Sequence, residues 1–522
     1  MRCRCTTAAL VLSCAVLALA RPPLHPQPQH LPELSYLDQQ QHPFIPLHRN
    51  THLSHASGDS NTGAYARFDG EKVVRVEVSS LEQLKQLEAV VENHNLDLWS
   101  NLRIGTVDVR VPAAAMDAFA IATRSIPSSV MIPNLQDLIP EQAPATAQLH
   151  AQNNFNFTDD SFWLDYHDLA TLNNFTETMA QQYPELAKRV SIGHTYEGRE
   201  VFGLSIHGYK SKDDKSGLAS DLDRNEEDGT WLDGVIDEVQ SLWSWLSGYP
   251  RRSTGKPSKP KKHPKAIIIH AGQHAREWIG PAVVTYIAKE LILGYHHHKK
   301  ITRLVDQFEF IIVPVLNADG YVFTWEQNRM WRKNRQPTSI SFCPGMDSNR
   351  NWGYMWNKGG GSSNPCSENY QGPEAFAALE AKMMADFIKK RKNVVSYIDF
   401  HAYSQLWMTP FGGDCNEIPK DDEDIMEGAM GASKALHNVH GKRFVVGSIC
   451  NVIYQSSGGS IDWTYAVGKV KYSYGVELRD TGRYGFLLPE TEILPSSQET
   501  LAGVVYLANF IRKREKQWGY MV

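Results

Sequence analysis

Residues 267–278 read Ile-Ile-Ile-His-Ala-Gly-Gln-His-Ala-Arg-Glu-Trp, a buried-strand run, a glycine-containing loop and the start of a helix. His274 and Glu277 stand three apart, so both can face one point at the helix start. An imidazole and a carboxylate suit zinc, and a catalytic zinc site takes three protein ligands and keeps a fourth position open. A lone pair at this spacing is usually a pair of solvated surface residues, so a third ligand is required. His401 ends the apolar run 394–400. A histidine after a strand is often structural, but this one, like His274, falls at a strand's C-terminal edge, where open α/β sheets bind ligands. Two histidines and a glutamate form a set that activates water in peptidases. Arginines follow in residues 330–335 and at Arg350. They are either surface charges or, beside a metal, a group that holds an oxyanion and one that grips a carboxylate through its planar fork.

The elements that must position these groups alternate between strand and helix. Short apolar strands are expected at 266–270, 308–316, 394–401 and 472–478, with helical runs such as 281–293 between them. This alternation predicts an α/β fold, a mixed sheet with helices on both faces. A smaller α/β unit precedes it. Val74, Val76 and Val78 alternate with polar residues, Leu81, Leu84, Leu87 and Val91 follow at helical spacing, Val107 to Val111 form a second strand, and a helix is expected over 113–122. Residues 21–65 are rich in Pro, His, Gln and Ser and read as a flexible leader; 141–154 read as an Ala/Gln-rich linker. Residues 210–264 form a charged insertion ending in a basic run. It is read as a solvated loop, with a polyanion site the lesser alternative. His296, His297 and His298 follow a helix end, where a histidine complements the dipole.

Composition bounds the rest. The 522 residues are 42 % apolar, and 58 acidic against 53 basic side chains leave a net charge of −5. Nothing at that level points to nucleic acid. Residues 1–20 combine early arginines, an apolar run and an Ala-Leu-Ala exit. They read as a signal peptide, the run being short for a membrane anchor. Cys343, Cys366, Cys415 and Cys450 would then remain, an even count that predicts two disulfides in an exported protein. Sequons at Asn156 and Asn174 agree with export.

Six segments, HAREW, MWRKNR, DSNRNW, DFHAYSQ, IYQSSGGSIDW and VELRDTGRYGFLLP, occur in one order between residues 160 and 515. In them the chain resembles the zinc metallocarboxypeptidase family, the carboxypeptidase A group in particular. The unit at 66–140 resembles that family's propeptide, which covers the active site. The resemblance implies one zinc per chain on His274, Glu277 and His401, with Asp347 orienting an imidazole from behind. It makes Glu477 the general base, which then delivers a proton to the leaving amine, and Arg332 the oxyanion partner. Asn349, Arg350 and Tyr454 would hold the substrate's terminal carboxylate, with Arg276 as an outer contact. Ile461 would floor an apolar pocket with Met408, roomier for Gly475, so peptide or protein C-termini ending in aliphatic or aromatic residues are the expected partners, besides the chain's own propeptide. Cys343 would pair with Cys366 and Cys415 with Cys450.

Two departures matter. No Lys or Arg lies between Arg124 and Lys188, so no tryptic cut is available at the domain boundary, and the segment from Asp462 to Glu477 is one residue longer than in the pancreatic enzymes. The insertion and linker resemble a fungal, cell-wall-associated branch of the family that includes pseudoenzymes lacking the catalytic glutamate. The expected organisation is a signal peptide 1–20, a propeptide 21–154 and a catalytic domain 155–522, forming a secreted monomer without a membrane span. Extracellular space, cell wall or vacuole are its expected destinations. The alternative function is an inactive zinc protein that acts as a binding factor in cell-wall organisation.

Overall fold

The structure, a computed structural model, describes residues 65–100, 102–139, 155–208 and 264–517. The expected signal peptide and linker lie outside the described residues, as do the leader apart from Tyr65 and the insertion apart from Pro264.

The N-terminal unit is a four-stranded antiparallel sheet of β1 (Lys72–Val78), β2 (Asp97–Leu98), β3 (Gly105–Val111) and β4 (Ser128–Ile132), in the order β2-β3-β1-β4. Alternation on β1 and β3 sends Val74, Val76, Val107 and Val109 to one face, where they bury against Leu87, Val90 and Val91 of the helix Leu81–Asn93. Ser80 caps that helix by accepting from the Gln83 amide, a contact that satisfies one of its orphan donors. The helix expected over 113–122 is α-helical only over Met116–Ala122, after a 3-10 turn at Ala113–Ala115. Neither start has a side-chain cap.

The larger unit contains β5 (Ala187–His194), β6 (Glu200–Ile206), β7 (Lys265–Ala271), β8 (Phe308–Val313), β9 (Val394–His401), β10 (Leu406–Thr409), β11 (Val445–Ser448) and β12 (Tyr472–Glu477). They form one mixed sheet in the order β11-β10-β12-β9-β7-β8-β6-β5, whose four middle strands are parallel. Period-two alternation splits β7 between the two faces: Ile267 and Ile269 enter one core, Ala266 and Ile268 the other. The first core holds the helices Ile279–Leu293 and Ile493–Gln517, and the second holds Leu379–Lys390. Helices thus cover both faces.

Two boundaries differ from expectation. The strand expected to reach Leu316 stops at Val313, because Pro314 has no N–H for the ladder. The helix expected to carry His274 and Glu277 starts only at Ile279, so both side chains stand on the turn before it.

The helix Ile279–Leu293 is buried almost all round. Its one interior cation, Lys289, pairs with Asp160 at 2.5 Å and Glu290 at 2.7 Å and lies over the rings of Trp163 and Tyr286. The Trp163 indole donates to the Ala282 carbonyl. The segment around Asp160 and Trp163 is therefore built into the core.

At Gly203 on β6 an added Cβ would stand 2.1 Å from the Ile312 carbonyl oxygen of β8. Gly203→Ala should lower stability by about 3 kcal/mol, the upper range of overpacking costs, read as a fall in the urea midpoint at unchanged slope.

Candidate metal centre

β7, β9 and β12 end side by side, and the polar groups converge beyond those ends. His401 is the last residue of β9 and lies in register with Glu477, the last of β12. From the turn after β7, His274 places Nδ1 2.8 Å from Glu277 Oε1 and 3.1 Å from His401 Nδ1, which is itself 3.0 Å from Glu277 Oε2. All three residues are buried. Ligand atoms around a tetrahedral zinc at 2.0–2.1 Å would be about 3.3 Å apart, so this set fits zinc. The other face of each imidazole meets a carboxylate: His274 Nε2 lies 3.1 Å from Asp347 Oδ1, and His401 Nε2 lies 3.0 Å from Asp399 Oδ2.

The ionisation states follow from this packing. Burial alone would raise Glu277, but the two imidazoles hold it well below the usual carboxylate range. Asp347 is likewise held low against its burial, chiefly by Arg332 and His274. Burial would lower His401, yet Asp399 and Glu277 bring it well above its usual value. Burial pushes Glu477 up to about 8, opposed by His401 and reinforced by Glu277. Its Oε2 is buried without a hydrogen-bond partner among the described residues. A buried carboxylate oxygen that lacks a partner and lies near the anionic Glu277 takes up a proton more readily than an exposed one.

Lys469 takes a positive φ of 58° just after the helix Ser460–Ala466, and β12 then runs in register to its end.

Arg332 donates to Asp347 Oδ2 from Nη2 at 2.8 Å and from Nε at 3.2 Å, and its Nη1 reaches to 3.7 Å from Glu277. Arg350 is fixed by the carbonyls of Gly360 and Asn349, and its remaining nitrogen meets the Tyr454 hydroxyl. Asn349 accepts from the Ser460 amide. Next to Ser460, Ile461 is buried against the space left by Gly475, whose missing Cβ would stand 3.4 Å from both Ile461 and Met408. Met408 and Gly475 are paired across β10 and β12, so one apolar slot has walls from three elements.

Arg276 is engaged by the N-terminal unit. Its Nη1 and Nη2 donate to Asp97 at 2.6 and 3.1 Å, and its guanidinium stacks on Phe486 at 4.1 Å. Trp99 from the same unit packs edge-on against Phe486 and Tyr403. Asp108 joins Arg75 to the Tyr403 hydroxyl. Gly485, at φ +58°, has no room for a Cβ beneath Trp99, 2.8 Å away. The N-terminal sheet therefore sits over the approach to the metal cluster. Cys343 is bonded to Cys366 and Cys415 to Cys450. Asn156 and Asn174 are exposed.

Sequence reasoning missed Asp399, Gln273 and Ser460 around His401, and Asp97 and Trp99 in the cover. Asp399 was findable: residues two apart on a strand share a face, so Asp-Phe-His puts carboxylate beside imidazole. The cover contacts have no local signal.

The chain matches the family model "Zinc carboxypeptidase" over residues 172–503 and "Carboxypeptidase activation peptide" over residues 74–142. It is 36 % identical to carboxypeptidase A2 of Mus musculus over 85 % of this chain and 94 % of that protein. It is 32 % identical to the inactive metallocarboxypeptidase ECM14 of Ajellomyces dermatitidis over 89 % of this chain and 76 % of that one. The crystal structure of thrombin activatable fibrinolysis inhibitor superposes with a TM-score of 0.69 at 30 % identity, covering 85 % of this chain and all of that one. Among the described residues no helix is long and apolar enough to cross a membrane.

Dialysis of the folded chain against zinc should load one ion per chain. Glu277→Gln, which removes the only anionic ligand of the cluster, should weaken that binding by more than about 100-fold, read by metal content against a competing chelator.

Proposed function

This chain belongs to the zinc carboxypeptidase family, and on that premise we propose that it is the precursor of a secreted enzyme that removes single aromatic or large aliphatic residues from peptide C-termini. Domain limits follow the same reading: a propeptide through residue 154 and a catalytic domain from 155. The chain has a zinc metallocarboxypeptidase fold with an intact His274, Glu277 and His401 cluster.

The observation that carries the reading is the arrangement of the Arg350–Tyr454 pair, the apolar slot and Glu477 around one metal cluster. Arg350 is 8 % exposed and stacks toward the Tyr454 ring. A substrate's terminal carboxylate would take the place of the Tyr454 hydroxyl on the guanidinium, with Asn349 alongside. A mid-chain peptide would leave that buried cation without an anion, which is costly, so the site favours chain ends. The terminal side chain would enter the slot of Ile461, Met408 and Gly475, whose missing Cβ makes room for a ring.

Bound zinc would polarise the scissile carbonyl and acidify water, as it does in other peptidases. Glu477 would take the proton from the attacking water and hand it to the leaving amine. Arg332, already fixed by Asp347, would donate to the oxygen on which charge develops. Arg276 would meet the substrate further upstream once Asp97 has left it.

While the N-terminal unit is in place, Asp97 and Trp99 occupy that upstream approach, so the uncut chain is expected to be latent. Release requires a cut in 141–154, where the absence of Lys and Arg calls for a protease other than a trypsin-like one; without such a cut the propeptide stays attached. The inactive relatives motivate a second reading, a zinc-dependent binding protein in cell-wall organisation. Glu477 with its free oxygen favours the enzyme.

An N-blocked dipeptide ending in Phe should be hydrolysed after such a cut, with sensitivity to a zinc chelator, and hardly before it. Glu477→Gln should lower kcat by at least about 100-fold while sparing peptide binding. A cut, folded, zinc-loaded chain that releases no Phe would leave the binding role. Trp99→Ala in the uncut chain should raise its slow basal hydrolysis about 30-fold, since a central buried aromatic anchor is worth about 2 kcal/mol.

A further inference from the structure

We propose that Asp399 is the positioning residue of the metal centre: it fixes the His401 imidazole and ties it to the helix that carries the specificity slot. This rests on the zinc reading above. Asp399 stands two residues before His401 on β9, so both side chains leave the same face, and it is completely buried. Its Oδ2 lies 3.0 Å from His401 Nε2 and accepts from Ser460 Oγ at 2.6 Å and Gln273 Nε2 at 3.1 Å. Its Oδ1 stands 3.3 Å from His270 Nε2.

Each contact leads to a different part of the site. Gln273 precedes the ligand His274, and its side-chain Oε1 accepts from the Trp352 indole at 3.3 Å. Ser460 precedes Ile461, and its amide donates to Asn349 at 2.9 Å. One carboxylate oxygen therefore joins the metal-facing ring, the turn that presents the second imidazole and the first residue of the slot helix. None of these partners is a lysine or an arginine, so the carboxylate is not placed to balance a structural cation. Because His401 turns Nδ1 to Glu277 and His274, the proton belongs on Nε2, where the carboxylate receives it. That contact locks both ring orientation and tautomer, which raises an imidazole's affinity for a metal. Asp347 stands in the same relation to His274 at 3.1 Å, so the centre is braced from both sides, and of the two carboxylates Asp399 is the one bonded directly to the slot helix through the Ser460 hydroxyl.

The test measures zinc affinity of the uncut chain in chelator-buffered zinc, with the melting temperature of the metal-free and zinc-loaded forms read in parallel. Asp399→Asn should bind zinc about 10- to 100-fold more weakly, with the metal-free melting temperature within about 3 °C of wild type and a smaller rise on adding zinc. Ser460→Ala, which keeps the carboxylate but removes one donor, should weaken zinc about threefold to tenfold. It decides the matter if Asp399→Asn does not fold. Zinc affinity within twofold of wild type in the folded variant overturns the proposal. So does an equal fall in both melting temperatures, which would mark a purely structural residue. Failure of the wild-type chain to bind zinc would instead overturn the metal centre itself.

Discussion

Two imidazoles and a carboxylate held about 3 Å apart in a buried place are the constraint on which the molecule depends. Their nitrogens and oxygens repel unless a cation lies between them or protons are shared, and burial removes the water that would otherwise soften the conflict. The fold meets this with register. β7, β9 and β12 are parallel and paired so that His401 lies opposite Glu477 and Ala271 opposite Phe400. A one-residue slip would turn His401 away and drive its apolar neighbours into the wrong layer. The hydrophobic alternation that chooses the register therefore also builds the site.

Charge alternates outward from the centre. Asp347 stands between His274 and Arg332, and Asp97 between Arg276 and Arg110, which approaches it to 3.3 Å. The N-terminal sheet does more than obstruct. It supplies the anion for a buried guanidinium that would otherwise stand unpaired, and it shields the aromatic pair Tyr403 and Phe486. Because Asp97 also has Arg110 as a partner within its own sheet, a departing cover would keep its carboxylate paired while Arg276 gained water or substrate.

Much of this was legible in the sequence. Short apolar runs at 266–270 and 472–478 mark buried strands, and the His274, Glu277 and His401 set follows from residue type at strand ends. Boundaries were less legible. Pro314 ends β8 early, and the Gly-Gln turn delays the helix to Ile279, because both depend on which backbone groups find partners. Long-range pairs such as Asp97 with Arg276 were not legible at all. They join residues that carry no shared pattern, on a surface defined only after two sheets have folded.

Lys289 has one further consequence. Its charge is buried within the core helix Ile279–Leu293 and is neutralised in part by Asp160, only a few residues past the linker. Trp163 closes the same corner through the Ala282 carbonyl. Trimming a new N-terminus beyond Asp160 would leave the buried ammonium with Glu290 but without Asp160, so the pair would penalise trimming that far. Cuts at different bonds of the linker would all leave this pair in place, whereas chains that began past Asp160 would lose one of the two counter-charges of Lys289.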